Sequence, residues 1–118
     1  MRVYGIKNCA SVKKALTFFD DNNICYELID ISKNPISKEH IEYWLTFGDA
    51  KEFFNPRSKA FKDKDLKGKN LNTKTRVKLL WEENSIIKRP VIEHGLNGEE
   101  KLYIGFNEED YSNTFLQK

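Results

Sequence analysis

The run YGIKNCASVKKAL, residues 4–16, passes from a short apolar stretch through Gly5 and one cysteine into a helical pattern. Val12, Ala15, Leu16 and Phe19 recur at i, i+3, i+4 and i+7, one face of a helix, whereas residues 2–5 read as strand. Cys9 therefore stands where a first strand turns into a first helix. A thiol reacts as its thiolate, and a helix N-terminus stabilises an anion through unpaired backbone N–H groups and the positive end of its dipole. A small residue can also simply fill such a turn, so position alone leaves Cys9 balanced between nucleophile and filler.

Reading outward, the first helix should end near DDNN (20–23), and CYELIDI (25–31) has strand propensity. A β-helix-β unit this compact favours a right-handed crossover and parallel pairing of its strands. After the loop SKNPIS, Ser37 is placed to cap a second helix with Ile41, Trp44 and Leu45 on one face. Residues 48–70 are irregular with short helical turns, and Thr73 is expected to cap a helix carrying Val77, Leu80 and Trp81. RPVIE opens a third strand at or just after Pro90, since proline is tolerated at a strand's first residue. Asn97-Gly98 signals a tight hairpin turn into KLYI, an antiparallel fourth strand. Gly105 breaks that strand, and Asn107 can cap a last helix with Tyr111 and Phe115 facing inward. The order βαβ, helices, ββα is the thioredoxin-like arrangement: an α/β fold with a mixed four-stranded sheet and an inserted helical region over about residues 37–85.

The 118 residues contain no Gly/Ser/Pro-rich linker, so one domain spanning residues 1–118 is expected. With 39% hydrophobic and 13% aromatic residues, the chain can bury enough surface to fold without disulfides or metals. No run approaches the roughly 18 apolar residues of a membrane span, and MRVYGIKNC has no signal-peptide core, so a cytoplasmic protein with no membrane partner is expected. Net charge is +2, but eight lysines and arginines lie between Lys59 and Lys78, opposed by Asp63 and Asp65. That segment is a solvated face, or a surface for an acidic partner. It carries no helix-turn-helix, zinc or RNA-binding motif, so direct nucleic-acid binding is not expected. His40 and His94 do not sit in a metal-ligand spacing, so no metal site is expected.

On a thioredoxin-like fold the usual redox motif is CxxC, and here its second position is Val12. A two-cysteine cycle within that motif is therefore impossible. Cys25 opens the second strand while Cys9 follows the first, so parallel strands would hold them roughly 15 Å apart, beyond the roughly 7 Å Cα limit of a disulfide. Cys25 is thus expected as a packed thiol. A one-cysteine reaction needs an external thiol to finish its cycle, and glutathione is the abundant cytosolic candidate. Arg57 in NPRSKAF and Arg89 in KRPVI offer the planar fork that suits an oxyanion or carboxylate.

Together, YGIKNC entering a helix, PRSKAFK in the middle, KRPVI before a strand and IGFNEEDY near the end resemble the arsenate reductase (ArsC)/Spx family of small bacterial proteins. The resemblance covers nearly the whole chain in the expected order. It implies that Cys9 is the nucleophile, that Asn8, Arg57, Arg89 and Pro90 bind substrate or glutathione, and that the bond preceding Pro90 is cis. Arsenate reductases of the family carry a further arginine near the last strand, where this chain has KLYIGF. Spx-type regulators carry CxxC as a redox switch and bind the C-terminal domain of the RNA polymerase α-subunit; PRSKAF, KRPVI and IGFNEED look like that branch, but Val12 removes the switch. The YGIKNC start is similar to the single-cysteine YffB-type branch. The resemblance therefore implies a glutathione-dependent monothiol oxidoreductase with glutathione as co-substrate and no bound cofactor. The alternatives are an Spx-like regulator and an arsenate reductase.

Overall fold

The structure is a computed structural model that describes residues 1–6, 8–66, 68, 70–96 and 99–116. In order, the elements are β1 (Arg2–Gly5), α1 (Ala10–Asp21), β2 (Glu27–Asp30), α2 (Lys38–Trp44), α3 (Lys59–Asp63), α4 (Thr73–Glu82), β3 (Val91–Leu96), β4 (Glu99–Ile104) and α5 (Glu108–Phe115). Short 3-10 turns lie at Ala50–Phe53 and Asn84–Ile86. The chain divides into two compact units, Met1–Ile29 with Arg89–Lys118, and Asp30–Lys88. The inserted helical region expected from the sequence lies within the second.

In the first unit the strands run in the order β2-β1-β3-β4 in a mixed sheet. β1 and β3 are antiparallel, with Val3 opposite Ile92 and Tyr4 opposite Val91, and β3 and β4 pair antiparallel from Val91–Ile104 to Leu96–Glu99. The Asn97-Gly98 turn expected between them lies outside the described residues. Alternation along the strands sends Val3 and Ile92 to one face, where they join Ala15, Phe18, Phe19 and Tyr111 in the core. The Phe19 ring stacks on Tyr111 at 5.6 Å and meets Phe115 edge-on at 5.3 Å. The opposite face carries Glu93, only 3% exposed, which accepts hydrogen bonds from Arg2 Nε at 2.8 Å and the Tyr4 hydroxyl at 2.9 Å. A buried carboxylate is tolerated only with such charge-assisted partners. Burial, reinforced by Glu93, pushes the Tyr4 phenol up, and the bond to Glu93 does the same to the Arg2 guanidinium.

The end of β4 is tied to the start of β3 and to α5 through one glycine. Gly105 has φ +79°, a conformation that favours glycine. Its N–H donates to the Pro90 carbonyl at 2.8 Å, and its own carbonyl accepts from the buried Tyr111 hydroxyl at 2.7 Å. Asn107 caps α5 as expected, accepting from the Asp110 N–H.

The second unit buries Ile41, Trp44, Phe53, Leu80, Ile86 and Ile87, with Trp44 stacked on Phe53 at 6.2 Å. Ser37 caps α2, as expected. Asn84 ties its segments together: its side chain accepts from the Ile36 N–H at 2.6 Å and donates to the Leu80 carbonyl at 2.8 Å. Among the described residues no helix is long and apolar enough to cross a membrane.

Three expectations need correction. α4 is capped by Asn72, whose side chain accepts from the Thr75 N–H at 2.8 Å, and Thr73 is its first helical residue. Trp81 is 45% exposed, and Arg76, at 9%, completes the buried stripe instead. Positions 76 and 81 flank the Val77–Leu80 pair on opposite sides at helical spacing, and an arginine stem can be buried while its head stays at the rim. Cys25 is exposed and not packed, because β2 begins only at Glu27 and forms an edge of the sheet, leaving Cys25 in the turn after α1.

The junction of β1 and α1 depends on Gly5. A Cβ there would lie 2.7 Å from Val12 Cγ2 and 3.2 Å from Cγ1. Val12 is fully buried and, being β-branched, has little rotamer freedom with which to yield. Gly5→Ala should therefore destabilise the protein by about 1–3 kcal/mol in urea unfolding, the usual cost of overpacking. Smaller Val12→Ala combined with Gly5→Ala should recover part of that loss.

Candidate functional site

Cys9 occupies the N-cap of α1 with extended backbone, φ −81° and ψ 127°. Its N–H donates to the Ile6 carbonyl and its carbonyl accepts from the Lys13 N–H, both at 3.0 Å, so backbone bonds on either side hold the half-buried thiol in place. The cysteine side chain makes no capping hydrogen bond, and the first turn of α1 holds no acidic residue. The first-turn N–H groups thus face no local carboxylate. Lys13 and Lys14 are exposed on α1 and Asn8 is exposed beside Cys9, while Lys7 lies outside the described residues. Three residues beyond Cys9, Val12 is fully buried and packs on Gly5.

The β1–β3 register carries Arg89 and Pro90 to the same end of the sheet as Cys9. Tyr4 pairs with Val91, so the chain leaving β1 toward Cys9 and the chain entering β3 from Arg89 lie at one end of the two central strands. The Arg89–Pro90 bond is cis, as the resemblance implied, and Pro90 is fully buried. Arg89 is half-buried, and its Nε is buried with no hydrogen-bond partner among the described residues. A buried donor of this kind is costly unless something else supplies an acceptor.

Cys25 lies at the other end of β1, where the Glu27 N–H donates to the Met1 carbonyl at 2.9 Å. Both cysteines are free thiols. Arg57 belongs to the second unit, exposed in a turn set by Asn55: its N–H donates to Asn55 Oδ1 at 3.0 Å, and the next residue, Ser58, caps α3. Asn8, Cys9, Arg89 and Pro90 are thus brought to one end of the sheet, and Arg57 is placed in a separate turn of the other unit.

Among the described residues, no three His, Cys, Asp or Glu side chains converge on a metal-sized site. His94 stands edge-on to Phe115 at 5.5 Å, and burial pushes its pKa below the ordinary histidine value. Sequence reasoning missed Glu93 and Arg76, both buried charges. The one available signal for Glu93 was alternation: it shares a strand face with Val91, two residues away.

A four-stranded mixed sheet with a cysteine at the β1–α1 junction and a proline opening β3 defines a thioredoxin-like α/β protein. The ArsC family model matches residues 4–114, and the chain belongs to the ArsC family. It is similar to the global transcriptional regulator Spx 2 of Bacillus anthracis, with 30% identity over 92% of this chain and 81% of that protein. It is also similar to a solved protein named YffB, with 29% identity, TM-score 0.82 and coverage of 95% of this chain and 96% of the other. An arsenate reductase (ArsC) related protein from Brucella melitensis superposes with TM-score 0.74 and 28% identity over 98% of this chain and 94% of the other.

The unpartnered Arg89 Nε makes a stability prediction. Arg89→Met removes a buried unsatisfied donor, so urea unfolding should show no loss, or a gain of up to about 1 kcal/mol. A loss above about 2 kcal/mol would instead make the guanidinium part of the scaffold.

Proposed function

We propose that this chain is a glutathione-dependent monothiol oxidoreductase with Cys9 as nucleophile. One observation carries the reading: Cys9 stands at the N-cap position of α1, Val12 fills the CxxC partner position as a buried core residue, and Cys25 lies at the far end of β1. A reactive thiol so placed has no partner sulfur within its own motif.

In the reaction, Cys9 as thiolate attacks the glutathionyl sulfur of a mixed disulfide. The substrate's S–S bond breaks, the substrate sulfur leaves as thiolate and takes up a proton, and Cys9 carries the glutathionyl group. A glutathione thiolate then attacks that group, releasing glutathione disulfide and restoring the Cys9 thiolate. The net change is one mixed disulfide and one glutathione converted to one substrate thiol and one glutathione disulfide. Asn8, Arg89 and Pro90, with Arg57, would bind glutathione or the substrate, the arginines through its carboxylates.

The 30% identity to an Spx regulator favours a second reading, a protein without a CxxC switch that binds the C-terminal domain of the RNA polymerase α-subunit. Arsenate reduction is the third, weakened by the lack of an arginine in KLYIGF. Turnover of a peptide–glutathione mixed disulfide and of arsenate, each with glutathione, separates them. The mixed disulfide should be turned over, Cys9→Ser should lose at least about 10³-fold in kcat/KM, and Cys25→Ser should stay within about twofold. Turnover of arsenate alone would support the arsenate reductase, and activity with neither would support the regulator.

A further inference from the structure

The second unit holds a cavity of about 220 Å³ that the thiol chemistry does not use. Its walls are Phe54, Pro56, Phe61 and Leu66, and Lys51 and Arg76 also line it. An apolar cavity of roughly 150 Å³ can hold a benzene ring, so this one has room for a ring with a short chain attached.

Arg76 gives the cavity its chemistry. The residue is only 9% exposed, its stem packed in α4's buried stripe and its guanidinium at the cavity rim. Among the described residues its ion-pair partner is Asp49, whose Oδ1 lies 4.0 Å from Nη1, beyond hydrogen-bond range. That same Oδ1 already accepts the Lys51 N–H at 3.0 Å and caps the turn at Ala50–Phe53. With its stem buried and its head at the rim, the guanidinium has donors open to an acceptor arriving from outside. A carboxylate meets the planar fork with two parallel bonds, which a neutral group cannot do. Lys51, exposed at the cavity, adds a second positive charge.

From the Arg76 guanidinium that lines this cavity and the apolar walls beside it, we infer that the cavity binds a small amphipathic monocarboxylate, with its aryl or short acyl body against Phe54, Phe61 and Leu66 and its carboxylate on Arg76. The inference lies wholly within the second unit and is independent of the reaction at Cys9.

The test is titration of the ¹⁵N-labelled full chain with 4-phenylbutyrate and, separately, with 4-phenyl-1-butanol, its neutral counterpart. The acid should produce saturable shifts at the amides of Phe54, Phe61 and Leu66 and bind about tenfold or more tighter than the alcohol, as a hydrogen bond to a charged group requires. Arg76→Gln, its fold verified from spectral dispersion, should bring the acid down to the alcohol's affinity. Exposed Lys51→Gln should weaken the acid about two- to threefold, as a partly screened charge would. If Arg76→Gln does not fold, the acid-to-alcohol ratio on the unaltered chain decides alone. A ratio below about tenfold, no saturation with the acid, or shifts confined to residues elsewhere would overturn the inference.

Discussion

Where the first strand hands over to the first helix, a fully buried valine lies so close to Gly5 that no side chain fits between them. That contact sets how closely the beginning of α1 approaches the end of β1, and Cys9 is the residue between. Two further backbone bonds, to Ile6 and from Lys13, leave the cysteine little freedom. The side chain that completes this packing is also the one that occupies the place of a second cysteine. Val12 thus has a structural effect and a chemical one: it closes the β1–α1 junction, and it leaves Cys9 without a neighbouring sulfur.

A second chain of contacts runs to the same end of the sheet. The aromatic cluster of Phe19, Tyr111 and Phe115 positions the Tyr111 hydroxyl on Gly105, and Gly105 in turn holds the Pro90 carbonyl. Arg89, one residue earlier, is left with a buried donor that the described protein atoms do not satisfy. Nearby, the buried Glu93 is paired with its two donors, whereas His94 Nδ1 and Glu100 Oε1 share the condition of the Arg89 Nε. Under the proposed function, a carboxylate of glutathione would supply the acceptor that the Arg89 Nε lacks.

The sequence made the first unit readable because its signals are local. Helical spacing from Val12 to Phe19, the cap at Asn107, the glycine at 105 and the proline opening β3 each report their own conformation, and each is found as expected, as is the cap at Ser37 in the second unit. Cys9 was legible in the same way, through its position at an element boundary. The misreadings arose where the answer depended on partners distant in sequence. Whether Arg76 or Trp81 flanks the Val77–Leu80 stripe depends on what α4 packs against, and helical spacing permits both. Whether Cys25 is packed depends on where the edge strand begins, a boundary that strand propensity places only to within a residue or two. Glu93 and Asn84 likewise act through residues 89 and 48 positions away, which no local pattern announces.

On the proposed function, Cys9 alone carries the chemistry and its resolving sulfur comes from outside the chain. The most direct measurement is to mix the protein with a peptide–glutathione mixed disulfide in the absence of free glutathione, trap remaining thiols with an alkylating agent, and map the products by mass spectrometry. The expected result is one glutathionyl group on the peptide containing Cys9, with Cys25 recovered alkylated. A Cys9–Cys25 disulfide, or glutathione found on Cys25 while Cys9 is alkylated, would contradict it.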